Sequence, residues 1–188
     1  IVAKETDKSA AILSKVMAKS DDTTVASVIN NITEKNANEE SKLSLKVMAD
    51  FSEKNPEKLE TLVQNNADQI QKLTISAVEE AASSQEDADL IAKVVASASD
   101  DLANKVVEEV SKNSTEENQT LSAQVLKAIV DIDSDKIEII NDDVKDTMIK
   151  QTIESAQNQQ EGTGVQQDQD MTSIVSDIIV NSNTETGS

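Results

Sequence analysis

Apolar residues recur with helical spacing along the chain. The first two stripes are Ile12, Leu13, Val16 and Met17, followed by Val25, Val28, Ile29 and Ile32. Both follow the i, i+3, i+4 spacing that places side chains on one face of an α-helix. Ser20, Asp21 and Asp22 lie between the stripes and have the composition of a helix end followed by an N-cap. The pattern therefore predicts two amphipathic helices joined by a tight turn.

The next stretch predicts three further helices. Asn55 and Pro56 have the composition of an N-cap followed by proline in the first turn, where its missing N–H costs nothing. The apolar stripes of the three helices are Leu43, Val47 and Phe51, then Leu59, Leu62 and Val63, then Ile70, Leu73, Ala77 and Val78.

The same order of elements returns 78 residues later. Ile12–Ala18 aligns with Leu90–Ala96, with a one-residue slip near Val25 and Leu102. Further matches pair Lys58 and Glu60 with Lys136 and Glu138, and Asp68, Lys72 and Thr74 with Asp146, Lys150 and Thr152. A weaker half-repeat relates 15–18 to 46–49, 93–96 and 124–127. We predict a tandem duplication with helical blocks 1–78 and 79–160, in which Val16 and Val94 have equivalent surroundings.

The second block contains its own start signals. Ser84 with Asp87, and Ser114 with Glu117, have the spacing of capping boxes. Ile137–Ile140 is rich in β-branched residues and is compatible with a short strand. Its counterpart Leu59–Leu62 favours a helix, which we predict here.

The end of the chain predicts a linker and the beginning of another unit. Residues 161–170 form the linker, and residues 171–188 are either the start of a truncated third repeat or a capping helix. Within them, Ile174–Ile179 is similar to Ile12–Met17. Because the chain starts at Ile1 and shows no signal peptide, we expect a piece of a longer array. The predicted fold is all-α: a tandem helical repeat, as an α-solenoid or stacked helical bundles, with about 11 helices.

Composition narrows the chemistry. The 188 residues have a formal net charge of −19, every positive side chain is Lys, and there is no Arg, His, Cys, Trp or Tyr. These absences remove the usual zinc sites, Cys and Ser–His nucleophiles and base-stacking platforms. A field this negative repels nucleic acid, and no apolar run approaches the length of a membrane span. We expect no enzyme, no cofactor, no nucleic acid and no membrane insertion, but a protein partner or self-association.

One acidic cluster is a candidate calcium site. Asp131, Asp133 and Asp135 alternate, and Asp142 follows, as the first and last ligands of a calcium loop would. Lys136 stands where the loop needs Gly, and Asp142 where it needs a longer Glu. The alternative interpretation is an acidic helix N-terminus, in which Asp and Ser cap free N–H groups.

Paired carboxylates provide a second, weaker candidate. Neighbours in a helix do not share a face, so general acid–base work is disfavoured. We expect these pairs to be solvated faces and caps: Glu79-Glu80, Asp100-Asp101, Glu108-Glu109 and Asp142-Asp143.

Two resemblances accompany these patterns. Ile12–Ile32 and Leu90–Val110 are similar to the short helical repeats of MgtE-N-like superhelical domains. Residues 43–160, including Lys58–Val63 and Asp101–Val107, resemble helical regions of large FecR-domain-containing proteins of marine bacteria. This resemblance implies a spacer or interaction region of a large exported protein, at the bacterial surface or outside the cell, and it implies no functional residue.

The leading hypothesis is a non-enzymatic helical repeat segment that acts as a spacer or protein-interaction scaffold. A calcium-responsive acidic module is the first alternative. A self-assembling subunit of a surface filament is the second, because open solenoids expose apolar ends unless polar caps cover them.

Overall fold

The computed structural model describes residues 2–35, 42–114 and 120–160, with side chains over 6–34, 42–114 and 120–155. Across these ranges the protein is all-α, with ten helices and no strand. The helices are α1 (Val2–Lys19), α2 (Asp22–Lys35), α3 (Leu43–Lys54), α4 (Pro56–Asn65), α5 (Ala67–Glu79), α6 (Gln85–Ser97), α7 (Asp100–Asn113), α8 (Leu121–Ile132), α9 (Lys136–Ile139) and α10 (Asp142–Gln160). The all-α prediction is confirmed. The linker 161–170 and the unit 171–188 lie outside the described residues.

Local polar signals set several helix starts. The N–H of Thr24 donates to Asp21 Oδ1 at 2.8 Å, so Asp21 caps α2 as predicted. Ser84 Oγ accepts from the N–H of Asp87 at 3.3 Å and caps α6. Asn55 occupies the N-cap position of α4, although its side chain makes no capping hydrogen bond.

Two predictions for the second block have different outcomes. The Ile137–Ile140 segment carries helix α9, so the choice of helix over strand is confirmed. The capping box at Ser114 is wrong, because Ser114 is the C-cap of α7 and Thr120 precedes α8. The Ser114 hydroxyl is engaged elsewhere: it lies 2.9 Å from the carbonyl oxygen of Val110, to which it donates, and 2.7 Å from the hydroxyl of Ser122.

The long helices pack in two rows. In the first row α1 packs on α3, α3 on α6, and α6 on α8. In the second row α2 packs on α5, α5 on α7, and α7 on α10. Contacts between α1 and α2, α3 and α5, α6 and α7, and α8 and α10 join the rows, while the short helices α4 and α9 connect them. The apolar stripes of both rows meet in one core.

The buried positions recur with the same spacing as the helices. Helices α2 and α7 have equal lengths and start 78 residues apart, and so do α3 and α8, so the slip suggested near Val25 and Leu102 is absent from the helix bounds. Side chains at matching positions are buried in both halves: Met17 and Val95, Ile29 and Val107, Val47 and Val125, Met48 and Leu126, Phe51 and Ile129, Leu62 and Ile140, Ile70 and Met148, Thr74 and Thr152.

The expected equivalence of Val16 and Val94 is wrong as far as exposure is concerned. Val16 is 40% exposed, whereas Val94 is 1% exposed. Helix α6 has a first-row neighbour on each side, α3 and α8, whereas α3 is the row neighbour of α1 among the described helices. One face of α1, which carries Val16 and the 62%-exposed Ile12, is therefore open to solvent.

Candidate functional site

A shallow charged groove crosses three helices of the first row. It is a cavity of about 160 Å³ lined by Asp7 and Ala10 of α1, Lys46, Ala49, Asp50 and Glu53 of α3, and Leu90 and Lys93 of α6. We call these eight residues the charged groove. Its floor is apolar, because Ala10, Ala49 and Leu90 come from the packed stripes. Its walls are charged, so it combines a small apolar surface with side chains of both signs.

Ion pairs organise the groove. Lys46 Nζ lies 2.6 Å from Asp7 Oδ1 and joins α3 to α1. Asp50 pairs with Lys54 one turn further along α3, and this hydrogen bond raises the pKa of Lys54. The second oxygen of Asp50, Oδ2, is buried without a hydrogen-bond partner. The groove therefore presents an incompletely satisfied carboxylate between helices.

The charges of the groove belong to one place in the array. The residues 78 positions after Asp7, Lys46 and Asp50 are Gln85, Gln124 and Ala128. The equivalent surface between α6 and α8 therefore lacks these three charges. Because the helices match while the charges do not, packing alone does not require the charged set.

A buried polar junction joins α3 to the turn between α5 and α6. Glu80 Oε2 accepts from the N–H of Leu45 at 3.1 Å, and Ser76 Oγ donates to Glu80 Oε1 at 3.4 Å. Glu80 is only 9% exposed, and burial raises its pKa above the usual range, against the opposing effect of these hydrogen bonds. This carboxylate supplies the capping acceptor that the N-cap residue of α3, Lys42, does not provide.

Asp87 forms the second half of this junction and is 1% exposed. Its Oδ2 accepts from Lys42 Nζ at 2.5 Å, from the N–H of Ala82 at 3.0 Å and from Ser84 Oγ at 2.8 Å. A buried carboxylate with three donors, one of them charged, is well satisfied. The junction therefore fixes α6 against the start of α3.

The prediction that Glu79-Glu80 would be a solvated pair is wrong for Glu80. Glu79 is exposed, but its neighbour points into the junction. The partner of Glu80 is 35 residues away in sequence, so helical periodicity could not identify it. The capping box at Ser84 gave a local signal for Asp87, but no signal for its contact with Lys42.

The four candidate calcium ligands occupy helix ends around α9. Asp133 is the C-cap of α8, Asp135 precedes α9, and Asp133 Oδ1 accepts from the N–H of Asp135 at 3.2 Å. Asp131 pairs with Lys127 at 3.1 Å, and Asp142 pairs with Lys145 at 3.1 Å. Within the part of the chain that the structure describes, no three acidic side chains gather into a group that could hold a metal ion.

Comparison with known proteins adds no relative. No protein-family model, no curated protein and no solved structure matches the chain. Among the described helices, none is long and apolar enough to cross a membrane.

Proposed function

We propose that this chain is a non-enzymatic segment of a helical repeat protein, and that it acts as a spacer or protein-interaction scaffold. The repeating unit is 78 residues long, and the two blocks arose by duplication. Each unit contributes two helices to each row, and successive units bury each other's apolar faces as in an α-solenoid. Such a segment belongs to a larger protein, as its resemblance to helical regions of FecR-domain-containing bacterial proteins implies.

One repeated tertiary contact carries the proposal. Lys58 Nζ lies 3.0 Å from Asp22 Oδ1. Both residues recur 78 positions later, where Lys136 Nζ lies 3.6 Å from Asp100 Oδ1. The pair joins residues 36 positions apart in sequence, so a local helical pattern does not generate it. Recurrence of a long-range pair at the period of the sequence matches supports a duplicated unit rather than a chance similarity of amphipathic helices.

The exposure of Val16 is consistent with this arrangement. In an array, a helix at the end of a row lacks one neighbour, so its outer face stays open while the equivalent interior helix is covered. The difference between Val16 and Val94 then reflects position in the row and not a difference in fold.

The scaffold role is favoured over catalysis by the available side chains. The charged groove offers Lys, Asp and Glu, but the chain has no His or Cys, and the usual nucleophile–base pairs need one of them. A groove with an apolar floor and walls of both charges suits a protein surface. We propose it as the partner-binding face of the scaffold.

Insertion of one additional unit tests the repeat. A second copy of residues 43–120 is inserted after Thr120, so that each new junction reproduces one that the chain already contains. We expect the maximum dimension measured by small-angle X-ray scattering to increase while the mean residue helicity stays unchanged. The matched control inserts the same residues in scrambled order and should lose helicity per residue. Equal behaviour of the two insertions would contradict the proposal.

The open face of α1 favours self-assembly as a second candidate function. Ile12 and Val16 occupy the positions that correspond to Leu90 and Val94 of α6, which packs on α3. An α3-like face of another molecule would fit them, and such head-to-tail contacts build open filaments. Light scattering over a concentration series tests this, with Val16→Ser as the matched variant. A mass that stays monomeric at high concentration would exclude it.

A further inference from the structure

We infer that residues 174–180 of this chain pack on α8 in the place that α6 occupies on α3. The inference rests on the repeat organisation proposed above. It assigns an intramolecular occupant to the last position of the first row.

The array leaves one position without a described occupant. Helix α3 has two neighbours in the first row, α1 and α6. Helix α8 is the counterpart of α3, and α6 takes the place of α1 beside it. No described helix takes the place of α6 on the other side of α8. In an array of identical units that place belongs to the next helix along the chain.

This side of α8 is nevertheless partly withdrawn from solvent. Leu45 lies where α3 meets the turn before α6, and its counterpart on α8, Ala123, is 0% exposed. Val130, which corresponds to the buried Ser52, is partly buried as well. An apolar surface at a row end is unstable in water unless it is covered, so an occupant is expected.

The sequence after α10 contains one segment with the required pattern. Helix α6 presents Leu90, Ile91, Val94 and Val95, with spacing i, i+1, i+4, i+5. Ile174, Val175, Ile178 and Ile179 have the same spacing. Thirteen residues separate Gln160 from Ile174, and an extended chain of this length reaches about 40 Å, enough to return along α8.

Charge complementarity supports the same register. Asp177 aligns with Lys93, which lines the charged groove together with Ala49. The counterpart of Ala49 on α8 is Lys127, whose half-exposed side chain pairs only with Asp131 of its own helix among the described residues. Asp177 in the place of Lys93 would therefore lie beside a lysine. The two substitutions relative to the first block thus introduce opposite charges at adjacent positions.

Cross-linking tests the placement directly, because the full chain has no cysteine. The test pair is Lys127→Cys with Ile174→Cys, treated with a short bismaleimide. The calibration pair is Ala49→Cys with Leu90→Cys, at the corresponding positions of the α3–α6 contact. The control is Lys150→Cys with Ile174→Cys, since Lys150 is exposed on α10. We expect intramolecular cross-linking of the test pair at a yield similar to that of the calibration pair, and a much lower yield for the control.

Each other result overturns the inference. Similar yields for test and control pairs would indicate an unplaced segment. Cross-linked dimers would indicate that a second copy covers α8. Failure of the calibration pair as well would instead contradict the helical packing on which the repeat proposal rests. Charge reversal gives a second readout that needs no cysteine: Lys127→Glu and Asp177→Lys should each lower the melting temperature, and the double variant should recover most of the loss.

Discussion

The backbone N–H of Leu45 donates a hydrogen bond of 3.1 Å to Glu80 Oε2, so a carboxylate at the end of α5 caps the start of α3. The two residues are 35 positions apart, and Glu80 lies beside the turn that leads into α6. A helix end buried against other helices needs such an acceptor, because its first N–H groups have no partner within the helix. The contact therefore links the helix start to the path of the chain between the two blocks.

Replacement of Glu80 by Gln should remove a pH-dependent loss of stability. Burial raises the pKa of Glu80 above 4.5, so the folded state holds this proton more tightly than the unfolded state. The contribution of Glu80 to the free energy of unfolding then falls as the pH rises from 4.5 through the folded pKa. Gln keeps an acceptor for the N–H of Leu45 but does not titrate. In urea melts, the stability of Glu80→Gln relative to the parent should rise over this pH window and then level off.

Replacement of Glu80 by Ala should have the opposite effect at neutral pH. It leaves the N–H of Leu45 without an acceptor, which costs about 1–3 kcal/mol. Glu79→Ala is the matched control, because Glu79 is the exposed neighbour in the same turn. Equal effects of the two alanine variants would contradict the capping role of Glu80.

Asp87→Ala should destabilise the protein by about 3 kcal/mol, because it leaves the N–H of Ala82 and the ammonium group of Lys42 without their acceptor. Glu86→Ala is the control: Glu86 is exposed in the same first turn of α6, and its loss should cost less than about 1 kcal/mol. Chemical denaturation measures both. A double-mutant cycle with Lys42→Met should give a coupling free energy clearly different from zero, and additive effects would argue against the ion pair.

The counterparts Val94 and Val16 should respond differently to the same truncation. Val94→Ala removes buried methyl groups and should cost about 2 kcal/mol, whereas Val16→Ala on the open face of α1 should change stability by less than about 0.5 kcal/mol. Thermal melts of both variants suffice. A loss at Val16 as large as that at Val94 would mean that the α1 face is covered, as in a self-assembled state.

Calcium should stabilise the protein no more than magnesium does at equal ionic strength. Asp131 and Asp142 are paired with lysines, and Asp133 accepts a backbone hydrogen bond, so screening of the excess negative charge is the expected effect of either ion. Differential scanning calorimetry with each ion measures it. A larger rise in melting temperature with calcium, abolished by Asp133→Asn with Asp135→Asn, would favour the calcium module.

Local spacing predicted most of the fold. The apolar stripes located the helices, and short polar signals at Asp21, Pro56 and Ser84 located their starts, because both depend on residues within one or two turns. The β-branched segment of α9 was assigned correctly through its counterpart in the first block. Ser114 was misassigned, since its hydroxyl binds the preceding turn and a residue of α8.

The functional surfaces depend on helices far apart in sequence, so local spacing could not predict them. The charged groove combines residues of α1, α3 and α6, and the burial of Glu80 depends on Leu45. The exposure of Val16 follows from the row order of the helices. A sequence repeat implies similar packing for its copies, but it does not state which copy stands at an end.

Removal of one whole period tests the repeat most directly. Deletion of residues 43–120 joins Lys42 to Leu121, so that α8 takes the place of α3 beside α1, while deletion of 67–120 removes fewer residues but breaks the period. Circular dichroism melts of the two proteins measure the outcome. We predict a helical protein with one cooperative transition for the in-period deletion and a loss of cooperative melting for the other; a cooperative transition for the second protein alone, or for neither, would contradict the repeat.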